Sequence, residues 1–174
     1  MAIDRLHASR ISAAARGLTM LRIVTGSIYI YAGVGKMTLY SAFGMLPVPV
    51  TSLQWQLDLP ARLATWLSSH PRGALAAIVR DVLIPQGMVV AASIAWGQAL
   101  VGAMLVIGLF TRFASTVAAL IAILLAIAAW SRGPIDARPY ILLVALCVAF
   151  IIGRAGETAG MDSWRHERRR NRDL

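Results

Sequence analysis

The chain is 174 residues long, 58% hydrophobic and 14% charged, with a formal net charge of +9. That composition excludes a disordered segment and fits poorly with a soluble domain of this length. Seventeen Lys and Arg against eight Asp and Glu would point to nucleic acid in a soluble chain, but six of the arginines crowd into Arg154–Arg172, where they read as lipid-facing topology signals, so no nucleic-acid partner is expected.

An N-terminal tail carrying Arg5, Arg10 and Arg16 precedes an apolar run from Leu18 to Val34. The run lacks a small-residue cleavage boundary followed by more polar sequence, so it is read as a retained first membrane helix, about 18–36, and not as a secretory signal. Arg22, Gly26, Tyr29, Gly33 and Lys36, spaced four, three, four and three, fall on one face of it. Two readings of this stripe stay open. An arginine at a helix centre costs about 2.5–3.5 kcal/mol on insertion scales and less near an end, where its stem can snorkel. On the structural reading Arg22 snorkels to the inner head groups, the glycines allow close packing, Tyr29 hydrogen-bonds inside the bundle and Lys36 marks the opposite interface. On the functional reading the five line a polar, ligand-binding face.

The next segment, about Tyr40 to Pro85, is too long and too apolar for a plain connector. Beyond Pro47 and Pro49, Leu59, Leu63, Trp66 and Leu67 recur at i, i+4, i+7 and i+8; beyond Pro71, Leu75, Ile78, Val79, Val82 and Leu83 recur at i, i+3, i+4, i+7 and i+8. These spacings predict two short amphipathic helices. They are expected to lie on the outer membrane surface or cap the bundle, anchored by Trp55 and Trp66, with Arg62, Arg72, Arg80 and Asp81 turned to water; a substrate-binding lid is the alternative.

From Gln86 to Trp130 the only charge is Arg112. A helix needs about 20 apolar residues to cross a hydrocarbon core roughly 30 Å thick, so this stretch predicts two crossings, about 88–109 and 113–130. In the turn between them, Gly108-Leu-Phe-Thr-Arg112, the glycine stops one helix, the threonine is placed to cap the next and the arginine seeks head groups. Gln98, mid-helix between Gly97 and Gly102, needs a hydrogen-bond partner and reads as interhelical glue or as part of a site. A fourth span, about 140–153, is short and is read as tilting little or starting earlier. Ser115, Ala119, Ala122, Ala126 and Ala129, and then Ala145, Ala149 and Gly153, form small-residue stripes of the kind that let helix backbones approach in lipid. The expected fold is an all-α integral membrane protein: one domain, residues 1–174, built as a four-transmembrane-helix bundle with two short amphipathic helices in the first loop and a basic tail, 154–174.

Other chemistries lack their residues. His7, His70 and His166 all fall outside the spans, so no haem of its own is expected, and the single cysteine, Cys147, allows neither an intrachain disulfide nor a CxxC pair. There is no Cys/His metal pattern, no Gly-x-Ser-x-Gly turn, no phosphate-binding Gly-rich loop and no acidic residue within a span. Neither a metal nor any other intrinsic cofactor is expected, and a self-sufficient hydrolase or ion pump is disfavoured.

The run Leu21-Arg22-Ile-Val-Thr-Gly26 through Tyr29 to Gly33-Val-Gly35-Lys36, then Gly102 to Gly108-Leu-Phe-Thr-Arg112, then Gly153-Arg154 and Gly160-Met161-Asp162, resembles the DoxX/DoxD family of small four-helix bacterial membrane proteins. The long first loop and the ending are closer to the DoxD-like branch, which includes the membrane subunit of thiosulfate:quinone oxidoreductase. The resemblance implies a bacterial cytoplasmic-membrane protein tied to quinone-linked redox chemistry of sulfur or oxidative stress, with a protein partner or as a homo-oligomer. It leaves open whether this chain is itself an enzyme. Members commonly carry an acid near the position of Gln98; an amide cannot ionise, so any proton handling by that acid is lost here. Two functions follow as expectations. One is a redox subunit in which Arg22, Tyr29, Lys36 and Gln98 bind a quinone head group or a small sulfur anion, and the other is a non-catalytic accessory subunit of a larger membrane complex. Transport of a small solute has no charged pathway to support it.

Ten basic residues fall on the side of the two termini and six on the other, which predicts cytoplasmic amino and carboxyl ends. A periplasm-active reporter should be silent when fused at Arg172 and active near His70; the reverse pattern would invert the topology.

Overall fold

The computed structural model describes residues 2–42, 46–70 and 72–153. The basic tail 154–174, with its Gly160-Met161-Asp162 run, lies outside the described residues, as do the side chains of residues 2–15 and 41–47. The elements are α1 (Ala2–Val34), β1 (Met37–Ala42), β2 (Leu46–Thr51), α2 (Leu53–Ser69), α3 (Ala74–Ile78) running into a π-helical turn (Val79–Leu83), α4 (Gly87–Ile107), α5 (Thr111–Trp130) and α6 (Pro134–Ile152). Four segments, Arg16–Val34, Gly87–Ile107, Thr111–Trp130 and Pro134–Ile152, are helical, long and apolar enough to cross a membrane. The chain is a multi-pass membrane protein of the expected four-helix class.

Helix α1 packs along α4, α4 against α5, and α5 along α6, while α1 and α6 touch only sparingly. The α1–α4 contact is backbone on backbone. A Cβ on Gly26 would fall 2.7 Å from the Gly102 carbonyl oxygen, one on Gly102 would fall 2.6 Å from that of Gly26, and one on Gly33 would fall 2.7 Å from the Ala99 nitrogen. In lipid, where apolar side chains gain nothing by hiding from one another, such proximity supplies the dispersion contacts that hold helices together. The stripe on α5 does face inward in part, with Ser115, Ala122 and Ala129 buried. That on α6 does not, because Ala145, Ala149 and Gly153 are exposed.

The fourth span begins earlier than the apolar run, at Pro134. Gly133 stands just before it with φ of 134°, and the proline occupies the first helical turn, where its missing N–H costs nothing. Asp136 lies near the positive helix end with Arg132 3.6 Å away; these polar residues concealed the first turn from a hydropathy reading.

The loop holds both helices and, in addition, a hairpin. Strand β1 pairs antiparallel with β2 in the register Met37↔Thr51 to Ala42↔Leu46. Pro47 and Pro49 sit two apart on a strand with a single neighbour, so both turn their donor-less nitrogens to the open edge. Helix α2 caps the bundle: Leu59 and Leu63 are fully buried against α4 and α5, and the Trp55 Nε1 donates to the Ala91 carbonyl at 3.0 Å. In the following segment the expected stripe is split, with Leu83 packed against the core beside Val79. Ala76 and Val79 are buried, whereas Leu75, Ile78 and Val82 are about half exposed. A membrane offers apolar residues a hydrocarbon environment outside the protein, so the apolar face need not be the packed one.

Gly102→Leu should force α1 from α4, since backbone cannot yield to the added side chain. About 1–3 kcal/mol of overpacking is expected, read as a lower melting temperature in detergent. Gly17→Ala, with nothing within 4 Å of the new Cβ, should leave that temperature unchanged or raise it.

Candidate functional site

The closeness of α1 and α4 fixes the rotation of α1, and that rotation carries Arg22, Thr25 and Tyr29 inward, all at most 2% exposed. Arg22 therefore does not snorkel. Its guanidinium carbon and two terminal nitrogens lie 2.8–2.9 Å from where a Cβ on Gly108 would be, so the planar group rests flat on that glycine. Gly108 has φ of 74° and ends α4. The cation thus sits against the C-terminal pole of α4, where helix carbonyls and the macrodipole favour positive charge. A side chain on Gly108 would be opposed by the left-handed backbone and by Arg22 together.

The turn departs from expectation in one respect. Phe110, with φ of 48°, precedes α5, and Thr111 is the first helical residue, with its side chain buried. Thr111 and Ser115 from α5 thus join Arg22, Thr25 and Tyr29 in a buried polar column, and the Tyr29 hydroxyl donates to the Ala118 carbonyl at 2.8 Å. Cys147 of α6 closes this level against Tyr29. Gln98 lies on α4 at the level of the Tyr29–Gly33 turn, 3% exposed. Neither the Gln98 Oε1 nor the Ser115 Oγ has a hydrogen-bond partner among the described residues. Unpaired buried polar atoms cost about 1–3 kcal/mol each, so they mark a place where a water or a ligand group would be welcome.

Lys36 stands apart from this column, beyond the C-terminal end of the first span and about 20 Å from Arg22 by helix rise. It is the single lysine of the chain. Its Nζ donates to the Ala32 carbonyl at 2.8 Å and lies 4.9 Å above the centre of the Trp55 ring, a cation–π arrangement. Burial, and secondarily the charge of Arg62, bring its pKa down to about 8. Arg62 is itself tied to Asp58 on the same face of α2. The four residues singled out by sequence thus divide, with Arg22, Tyr29 and Gln98 inside the bundle and Lys36 at the end that α2 caps. Thr25, Thr111 and Ser115 were missed as members of the column, although Thr25 stands three residues after Arg22 and four before Tyr29, the helical spacing that would have signalled it. Among the described residues no three His, Cys, Asp or Glu side chains converge as a metal ion would require.

A family model described as TQO small subunit DoxD matches residues 18–171, all four spans included. No curated protein and no solved structure matches the chain.

The lowered pKa of Lys36 has a definite pH signature. Between about 8 and the ordinary lysine value of 10.5 the unfolded chain binds the extra proton and the folded one does not, so stability should rise with pH across that window and be flat below it. Amine-reactive labelling with peptide mapping should show half-maximal Lys36 modification near pH 8, and Arg62→Gln should move that midpoint upward. An ordinary lysine profile would contradict the burial described.

Proposed function

The chain belongs to the DoxD family, and from that premise we propose that it is the membrane-embedded subunit of a quinone-linked oxidoreductase of the thiosulfate:quinone type, in a bacterial cytoplasmic membrane. The observation that carries this reading is the family match across all four spans. A small subunit implies a partner subunit, and in this reading the partner supplies the electrons while this chain holds the quinone within reach. The excess of arginine around the termini supports cytoplasmic ends, and in this reading the hairpin, α2 and Lys36 lie on the outer side. There Lys36 and Arg62 would draw a small sulfur anion towards the complex. Inside the bundle Gln98 and Ser115 offer polar atoms to which a water or a quinol hydroxyl could bond, and Arg22 and Tyr29 hold the column in register as its further ligand-binding candidates.

A second reading, an accessory subunit without a role in electron transfer, is favoured by the outward small residues of α6, Ala145 and Ala149, which suit a neighbouring helix.

Isolation of the tagged chain from its native membrane in mild detergent separates the two. The redox reading expects a stoichiometric partner, co-purified quinone and thiosulfate-dependent reduction of decyl-benzoquinone, with Lys36→Gln raising KM for thiosulfate several-fold at little cost in kcat. A stoichiometric partner with neither quinone nor thiosulfate-dependent reduction would favour the accessory subunit.

A further inference from the structure

On the flank of the bundle, towards the outer ends of α5 and α2, lies an apolar groove of about 290 Å³. Trp66 of α2, Ala126, Ile127 and Trp130 of α5, and Ile141 of α6 line it. Its two indoles differ in setting. Trp66 is 8% exposed and is backed by the His70 ring, with centroids 5.0 Å apart and planes within 8° of parallel. His70 is in turn held by its Nδ1, 3.3 Å from the Trp66 carbonyl. Trp130, the last residue of α5, stands 45% exposed at the rim. Ile141, on the fourth span, is 52% exposed.

These features restrict the occupant. A molecule entering here comes from the lipid and not from water, because the groove opens through membrane-facing side chains. A charged head group has no counter-charge in the lining. A plain acyl chain makes no use of two indole faces, one of them fixed in plane by a stacked imidazole. A flat, electron-poor ring does, since it stacks on electron-rich aromatic faces. The volume lies near the lower end of small-molecule sites, roughly 300–1,000 Å³, enough for one ring and the start of a tail whose remainder stays in lipid.

We propose that this groove is where a membrane quinone docks, its ring against Trp66 and Trp130 and its prenyl tail leaving past Ile141 into the bilayer. The assignment rests on the quinone-linked reading and adds residues that the polar column does not contain. Contact of Gly97 with Ile121 aligns α4 and α5 in depth, so the groove lies one to two helical turns outward of Gln98. It is nearer to the outer face, on which α2 and Lys36 sit. A quinone held there would meet electrons arriving from an outer partner.

The test uses the full chain in nanodiscs and decyl-benzoquinone as the probe, with binding read from quenching of tryptophan emission. Ala126→Phe, which fills the groove from its lining, should weaken binding at least tenfold. Trp130→Leu, a rim change that a folded protein tolerates, should weaken it several-fold, and decylbenzene should not compete. Unaltered affinity in both variants, equal competition by decylbenzene, or no binding to the parent protein would each overturn the assignment. The quinone-linked reading is scored separately by the thiosulfate assay. Groove-dependent quinone binding without thiosulfate-driven reduction would sink that reading and leave the groove standing, and reduction with quinone affinity indifferent to both variants would do the opposite.

Discussion

Helix α1 lies so close to α4 that Gly26 and Gly102 each offer a carbonyl oxygen where the other would carry a side chain. A contact this close tolerates little sliding or rolling. Once it forms, the rotation of α1 is set, and with it the direction of every residue along that helix: Arg22, Thr25 and Tyr29 into the bundle, Met20, Tyr31 and Val34 out of it. In water the same sorting would be done by hydrophobicity. In a bilayer both destinations are apolar, and backbone fit together with the need to satisfy polar groups takes over the decision.

That substitution of driving forces explains what could be read from the sequence and what could not. The four spans were legible because their lengths answer to the thickness of the bilayer, and the fold class followed. The stripe of Arg22, Gly26, Tyr29 and Gly33 was legible as one face of a helix because spacing of three and four is a property of the chain alone. Which way a stripe points was less so. Ser115 turned inward while Ala145 and Ala149 turned outward, and Leu75, Ile78 and Val82 face away from the packed side of their segment. Small residues and leucines carry no label that distinguishes a helix neighbour from a lipid one. The hairpin was hidden by its two prolines, whose meaning depends on whether the strand has one neighbour or two. Of the site, the residues on one helix could be assembled by periodicity, but the partnership of Arg22 with Gly108 and of Tyr29 with Ala118 joins different helices, and no local spacing encodes it.

Arg22 also illustrates how a charge is accommodated inside such a protein. Moving its side chain to the head groups would have been open to it on α1 alone. Instead the end of α4 comes to it, with a glycine that leaves room for the guanidinium to lie flat and carbonyls whose dipoles favour it. The same turn places Phe110 in a left-handed conformation that non-glycine residues seldom adopt. Backbone strain, a buried cation and the start of the polar column therefore meet within one connection between two spans, which ties the geometry of that turn to that of the column beside it.

The two prolines of β2 have a consequence for assembly at the other end. An exposed strand edge is an invitation to any passing chain to extend the sheet, and the hairpin Met37–Thr51 has two such edges. On β2, Pro47 and Pro49 strip alternate positions of their hydrogen-bond donors, so a third strand laid there would find carbonyls without matching N–H groups. Only the β1 edge retains a full complement. Sheet extension at this end of the bundle is thereby made one-sided, and any chain that joins this hairpin by strand pairing has its place in the order set as neighbour to β1.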